Sequence, residues 1–503
     1  MEENDFNSNL NKIAKSSWIV FLGILFAKIF TYIYQIIIAR NFGPEIYGLF
    51  TLAVMIVGWL VCFSSLSLNL GILRYASIFL AKKKKEEIKS IFRFSFKINF
   101  ITSILAGFLL FFFADFISRG IFSKPELIPF LKIFSFVIPF TVLMELILSI
   151  FLAHEKFGWY AFVHKFLTGF LKVGLILLLI AFGFKTDSIL FSYTLSFFGA
   201  LIFAIFISRK IFPYLFEKGN KDKDTKSKLN LITYSWPLLF YSILWNLFHW
   251  TDSFALGYLG TASEVGIYNA AVPIAFLLTF ASSIFMQIFF PIVNKEYSKG
   301  NLEEVRQLSK QVVKWILLIN LPIFILFVIF PGELIKLLFG TNYIGAKSVL
   351  QILGIGTIFF SLSESSSRLI MMSGRSKVIL VDIIIIFIFN FIFNFILIPK
   401  YGLVGAAIST MVSLVILSFI FWIQSARYFS IIPLRRKMIL ILLSAIFSSG
   451  ILLFLRSLIK INLFSGILLS SLFFTLYIFL ILIFKGFDKN DFFILKSFFR
   501  KKK

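Results

Sequence analysis

Fourteen apolar runs, most of them near 20 residues long, leave this chain few choices of fold. They lie at about 16–39, 46–68, 96–114, 131–153, 160–182, 188–208, 231–257, 266–290, 311–331, 347–369, 378–398, 403–424, 437–456 and 463–484. An α-helix needs about 20 apolar residues to cross roughly 30 Å of hydrocarbon, so each run is a candidate transmembrane helix. The whole composition agrees. Of 503 residues 59% are hydrophobic, 15% are charged and 70 are Phe, with a mean hydropathy of +0.94. A soluble domain is about half apolar and a quarter charged. An ordinary soluble enzyme, a disordered chain and a disulfide scaffold are therefore excluded. The expected class is an all-α polytopic membrane protein of about fourteen helices.

Fifty Lys and Arg against 24 Asp and Glu give a net charge of +26. In a soluble protein that surplus would point to nucleic acid. Here the cations sit in short loops between apolar runs, so membrane topology accounts for them and no nucleic-acid partner is expected. With the N-terminus inside, the inner segments hold Lys12, Lys15, Arg74, the run Lys82 to Lys85, Lys89, Arg93, the 209–230 linker, Arg306, Lys310, Arg427, the Arg435-Arg436-Lys437 cluster and the Lys501–Lys503 tail. The balance is roughly 35 inner cations to about nine outer ones, which places both termini in the cytoplasm by the positive-inside rule. The lysine run and the tail also suit anionic membrane lipids. No cleavable signal is expected, because no small-residue cleavage site follows the first apolar run. Cys62 is the single cysteine.

The sequence repeats itself at an offset of about 217 residues. Glu86-Glu87-Ile88-Lys89 faces Glu303-Glu304-Val305-Arg306, Lys97 faces Lys314, and Gly43 faces Gly260. With one inserted residue, Gly48 faces Gly266, Ser17-Trp18 faces Ser235-Trp236, Ser64-Ser65 faces Ser282-Ser283, and Asn69 faces Gln287; Asp115 matches Glu333. The expected organisation is a six-helix lobe (1–208), a basic cytoplasmic linker (209–230), an equivalent six-helix lobe (231–430), and two extra helices with a basic tail (431–503). Six is even, so the two copies share one polarity and form a parallel pseudo-repeat. Such repeats place a substrate path in a central cavity between two lobes.

Polar side chains inside these runs mark the candidate site, because hydrocarbon penalises them unless they meet water or a partner. Ser242, Asn246, His249 and Ser253 form one stripe of the seventh run, with Asp252 beside it. Lys28, Tyr32 and Gln35 form the corresponding stripe of the first, and Lys28 is the repeat partner of Asn246. Lys165 and Lys172 stand one heptad apart in the fifth run. Asp382, Asn390 and Asn394 share a face of the eleventh, and Glu145, Glu364 and Arg368 lie in the fourth and tenth. Lys28, Gln35, Lys165, Lys172, Asn246, Arg368 and Asn390 are the expected substrate-binding residues; Asp252, Glu145, Glu364 and Asp382 are the expected sites of H⁺ or Na⁺ coupling. The carboxylates have a structural alternative, an intramembrane pair with Lys165 or Arg368, and Lys165 can instead snorkel. His154 and His164, near the inner boundary, carry little information. One Cys and three His provide no zinc spacing, and no Walker A motif occurs, so neither a metal, a cofactor nor catalysis is expected. Gly354-Ile355-Gly356 reads as close helix packing or a bend rather than phosphate binding.

At Ala39-Arg40-Asn41-Phe42-Gly43-Pro44-Glu45-Ile46-Tyr47-Gly48-Leu49-Phe50 the chain resembles the polysaccharide-transport flippases of the multidrug/oligosaccharidyl-lipid/polysaccharide exporter superfamily. Asp252, then Leu259-Gly260 and Val265-Gly266-Ile267-Tyr268-Asn269-Ala270-Ala271, and Lys400-Tyr401-Gly402-Leu403-Val404-Gly405-Ala406-Ala407 extend the resemblance over essentially the whole chain. It implies translocation of an undecaprenyl-diphosphate-linked oligosaccharide from the inner to the outer leaflet through a cationic lumen, by alternating access. Arg40 and Asp252 carry over by motif position. The implied partners are the lipid-linked substrate, membrane lipids and polysaccharide-assembly proteins. A lipid II flippase and a multidrug cation antiporter are the alternatives within the superfamily, although cationic drugs suit the midplane lysines poorly. A membrane glycosyltransferase or polymerase is a further alternative that the short outer loops disfavour.

Overall fold

The computed structural model describes residues 2–217, 225–432, 435, 437–459 and 462–487. Residues 218–224 of the linker, Arg436 and the Lys501–Lys503 tail lie outside the described residues, as do the side chains of Lys12, Lys15, Ser17, Trp18 and Gln287. Every regular element among the described residues is helical. That is what hydrocarbon demands, since a helix pairs its own backbone N–H and C=O groups within one segment. The chain divides into two compact units, Met1–Asn269 and Ala270–Lys503.

The first unit contains α1 (Glu2–Ser65), α2 (Leu68–Ala81), α3 (Lys85–Asp115), α4 (Ile128–Phe134), α5 (Val137–Ala153), α6 (Phe157–Ala161), α7 (Thr168–Ala181), α8 (Asp187–Ile211), α9 (Thr225–Leu259) and the start of α10 (Ala262–Ala275). The apolar stretch of α1 from Lys28 to Ser65 holds 38 residues, about 57 Å at 1.5 Å per residue and nearly two hydrocarbon thicknesses. The backbone leaves helical geometry at Gly43, with φ 79° and ψ 176°. Only glycine adopts that conformation at little cost, and Pro44 follows without an N–H to donate. The runs 16–39 and 46–68 therefore lie on either side of this break. Leu68 and Ile72 of α2, Ile88 and Ile91 of α3, Leu143, Ile147 and Phe151 of α5, and Ala200 and Ala204 of α8 form the buried core. Phe100, Leu105, Phe108, Phe112 and Phe116 of the third span are exposed instead. In water such a surface would aggregate; in a bilayer it is the face that meets lipid.

The second unit contains the rest of α10, α11 (Leu278–Ser298), α12 (Leu302–Ile329), α13 (Pro331–Leu338), α14 (Ala346–Met372), α15 (Ser376–Tyr401), α16 (Leu403–Phe429), α17 (Lys437–Leu458) and α18 (Leu463–Ile483). Small residues let these helices approach closely. A Cβ on Gly356 of α14 would sit 2.8 Å from the Cα of Met411 on α16. Ser361, Ser363, Ser365 and Ser366 of α14 are fully buried, and Ser363 bonds Ser418 of α16 at 3.3 Å. The serine-rich tenth run is thus a packing face. The last two helices dock on α12 through Ile329, Phe330, Leu452, Leu469 and Phe473.

Twelve helices of the described residues are long and apolar enough to cross a membrane. A thirteenth span forms if α10 and the first part of α11, bent by 44°, count as one. The count falls below fourteen because the first two runs share α1 and the eighth is broken. The protein is an all-α, multi-pass membrane protein.

Candidate functional site

In the first unit the polar residues gather on the 157–181 span and the helices around it. Between α6 and α7 the chain forms a π-helical turn, Phe162–Leu167, in which Thr168 Oγ1 donates back to the Val163 carbonyl at 2.8 Å. An extra residue per turn of this kind recurs at functional sites, because it re-aims the side chains that follow. Here the turn carries His164 and Lys165. Glu145 of α5 faces them. Its Oε1 lies 4.0 Å from His164 Nε2, and its Oε2 accepts from the Asn69 side chain of α2 at 3.4 Å. Lys165 acts on the same carboxylate electrostatically, and on Lys172. The expected ion pair between Glu145 and Lys165 does not close; the groups that meet this carboxylate are His164 and Asn69, which sequence reasoning had set aside or left in another role.

Lys172, two turns further along, is half-buried and meets no carboxylate among the described residues. Its ammonium lies 4.5 Å from the ring centroid of Tyr193 and 4.3 Å from that of Phe197, both on α8. The negative face of an aromatic ring holds a cation without neutralising it. Tyr193 belongs to an aromatic cluster with Phe134, Phe50 and Tyr34, and Tyr34 is anchored through its hydroxyl to Ser192 at 2.9 Å. The α1 helix runs beside α7, close enough that a Cβ on Gly169 would lie 2.6 Å from the Phe30 Cβ. Lys28 and Gln35 of α1 are half-buried, and Gln35 Oε1 and Asn246 Oδ1 on α9 are buried acceptors that receive no hydrogen bond. Arg40 is exposed.

Asp252 of α9 is buried, and the Tyr268 hydroxyl of α10 donates to its Oδ2. Ser253 beside it exchanges hydrogen bonds with the Asn269 amide, the shorter being 2.9 Å. The Tyr47 hydroxyl reaches the Asn269 carbonyl at 3.3 Å. The segments around Gly48 and Gly266 meet at this point. A Cβ on Gly48 would overlap the Ala262 carbonyl oxygen and lie 2.9 Å from Gly266 N. A Cβ on Gly266 would overlap the Pro44 carbonyl oxygen and lie 3.0 Å from Gly48 N. Positions 44 and 262 each stand four residues before the glycine of their own segment, so each glycine sits under a carbonyl four residues ahead of the other.

A lysine that sequence reasoning missed completes the region. Lys124, in the loop after α3, is buried; its Nζ donates to the carbonyls of Phe122 at 2.9 Å, Gly257 at 2.6 Å and Gly260 at 2.9 Å. Gly257 lies in the last turn of α9 and Gly260 just beyond it, where carbonyls lack helical partners and a cation is favoured. Burial pushes the Lys124 pKa down, while Glu264 and Glu126 nearby oppose that shift. A lysine in a loop gives no local sign of a distant helix end. His154, at the end of α5, bonds the Ile150 carbonyl through Nδ1 at 2.9 Å and Tyr214 through Nε2 at 3.1 Å.

The second unit places its residues differently. Asn390 of α15 is fully buried, donating to Ser409 at 3.3 Å and Thr410 at 3.1 Å on α16, while Ser409 returns a bond to the Asn390 carbonyl at 3.0 Å. Its amide ties two helices together and faces no open surface. Asp382 is buried, with Gln424 Nε2 on α16 donating to both oxygens at 3.0 and 2.9 Å. Glu364 and Arg368 are half-buried one turn apart on α14. No group of three metal-binding side chains occurs among the described residues.

The sequence profile of the polysaccharide biosynthesis protein family matches residues 13–296, and that of the MatE family matches residues 237–396. An uncharacterized membrane protein of Methanocaldococcus jannaschii is 25% identical, over 88% of this chain and 89% of its own. A putative O-antigen transporter of Shigella flexneri is 25% identical, over 75% of this chain and 89% of its own. Among solved structures, that of the lipid II flippase MurJ in an inward closed conformation shares the fold with a TM-score of 0.71 at 17% identity, covering 92% of this chain and 98% of that one. With more than half of its length inside the first profile, the chain belongs to the polysaccharide biosynthesis protein family, as a multi-pass transporter of the multidrug/oligosaccharidyl-lipid/polysaccharide exporter superfamily.

Proposed function

We propose that this protein is a flippase that carries an undecaprenyl-diphosphate-linked oligosaccharide from the inner to the outer leaflet of the cell membrane by alternating access, with both termini in the cytoplasm. The observation that carries this reading is Lys172. A half-buried ammonium inside a span, held by two rings and no carboxylate, keeps its charge available for an anion, and a lipid diphosphate is the anion that arrives with its tail in the bilayer. Lys165 adds a second positive charge on the same helical path. The orphaned acceptors of Gln35 and Asn246 suit sugar hydroxyls, which donate to such oxygens. Similarity to a putative O-antigen transporter supports a glycan on the lipid. Coupling to H⁺ or Na⁺ is assigned to Glu145, whose carboxylate stands among His164, Lys165 and Asn69. Asp252 and Asp382 already receive strong donors from neighbouring helices, and Glu364 stands beside Arg368. Polysaccharide-assembly proteins are the expected partners in the membrane.

The test reconstitutes the full chain in liposomes with a fluorescent undecaprenyl-diphosphate oligosaccharide, with lipid II as comparison. Leaflet exchange should exceed that of protein-free vesicles. Lys172→Gln should slow it about tenfold, equivalent to ~1.4 kcal/mol, at unchanged thermal stability. Exchange equal to protein-free vesicles, or an undiminished rate in the variant, would overturn the reading. Faster exchange of lipid II would reassign the substrate.

A further inference from the structure

The ends of three candidate spans converge in the second unit: the close of α12 at Ile329, the start of α14 at Ala346 and the close of α17 at Leu458. Between them lies a cavity of about 560 Å³ whose charged lining is Lys336, Lys347, Arg456 and Glu333. Span ends mark the depth at which hydrocarbon gives way to headgroups, so this cavity opens at headgroup level.

Its charges do not balance. Arg456 spends its guanidinium on groups already present, donating to the Ile329 carbonyl and pairing with Glu333 Oε1 at 3.1 Å. Glu333 is thereby neutralised. The side-chain ammonium groups of Lys336 and Lys347 have no ion-pair or hydrogen-bond partner among the described residues, which leaves two uncompensated charges on one cavity. Lys347 also stands in the first turn of α14, where the helix presents its positive end and a cation is disfavoured unless an anion sits there. Gln351, one turn later, is held in place by its bond to the Val328 carbonyl at 2.8 Å. The rim is apolar: Val328 and Ile344, 40% and 47% exposed, flank the opening. A free phosphate would have no use for that rim, whereas a lipid would lay its acyl chains along it.

We propose that this cavity is a binding site for a phosphate-bearing lipid headgroup, held by Lys336 and Lys347 and shaped by Arg456. The site exists because of α17, one of the two helices outside the sequence repeat; the equivalent acidic position of the first copy, Asp115, instead pairs locally with Arg119 at 3.0 Å. The lipid phosphate has two sources, a membrane phospholipid or the polyprenyl diphosphate carrier of the exported glycan. The second source rests on the proposed flippase activity; the site itself does not.

The full chain, purified in neutral detergent, is titrated with phosphatidylglycerol, with phosphatidylcholine and with undecaprenyl diphosphate, and its thermal midpoint is followed. Either anionic lipid should raise the midpoint saturably, and Lys336→Gln/Lys347→Gln should raise the half-saturating concentration at least tenfold, with the lipid-free midpoint unchanged. A lysine-dependent response to phosphatidylglycerol assigns the site to membrane phospholipid; one confined to undecaprenyl diphosphate assigns it to the exported carrier. Native mass spectrometry, counting lipid retained by the single variants Lys336→Gln and Lys347→Gln, provides the same comparison where the double variant folds poorly. Equal stabilisation by phosphatidylcholine, or a variant that binds as the parent does, would overturn the proposal. Because binding is read without transport, leaflet exchange can fail while this site stands, and the reverse.

Discussion

A methyl group added to Gly48 meets the Ala262 carbonyl, and one added to Gly266 meets the Pro44 carbonyl. Neither obstacle is a flexible side-chain tip, so the backbones themselves must part. Gly48→Ala is therefore expected to cost about 1–3 kcal/mol, read as a lower midpoint in denaturation of the detergent-solubilised protein. Gly174→Ala, where nothing lies within 4 Å, should instead gain about 0.5–1 kcal/mol as an ordinary helix substitution. Matching responses from the two variants would remove the argument. The offset of 218 had paired Gly48 with Gly266 in sequence, but a repeat says which residues are alike, not which ones touch. Lys172 shows a similar limit. Its heptad spacing from Lys165 was visible, while its ring partners on α8 obey no local spacing rule. Asn390 misled because an amide in hydrocarbon is satisfied by hydroxyls on the next helix as well as by water.

At the scale of the element, hydropathy located every span, since transfer into hydrocarbon depends on composition alone. It could not locate the interruptions. The break at Gly43, the bend between α10 and α11 and the π turn over 162–167 depend on single residues or on packing, and a sliding average smooths them away. The end of α9 is a second case. Its terminal carbonyls need donors, and Lys124 supplies them from a loop more than 130 positions earlier in the chain. Replacing that ammonium, Lys124→Met, preserves volume and removes the donors. Hydrogen bonds from a charged group are worth about 1.5–3 kcal/mol, so amide hydrogen exchange around Leu259–Thr261 should accelerate tenfold or more, while exchange in α5 stays unchanged. No local acceleration would mean that water caps this end equally well.

For the molecule as a whole, the exposed phenylalanines carry the lipid face, which was legible because the bilayer imposes it on every span alike. The distribution of cations carries the expected orientation. Orientation is open to a direct check. In a Cys62→Ala background, Asn342→Cys and Tyr401→Cys should react with a membrane-impermeant maleimide from outside intact cells. Lys82→Cys and Ser298→Cys, exposed at the other ends of their helices, should react only after permeabilisation. Labelling of position 82 or 298 from outside would invert the assignment. The glycine crossing adds a constraint of another kind. Dispersion contacts lose a quarter to a half of their strength over a gap of about 0.5–1 Å, and a crossing with no room for a methyl group begins at zero gap. Such a joint has no half-open setting: it is seated or it is lost, and whatever motion parts α1 from α10 there must happen as a discrete event, with a waiting time rather than a continuum of widths.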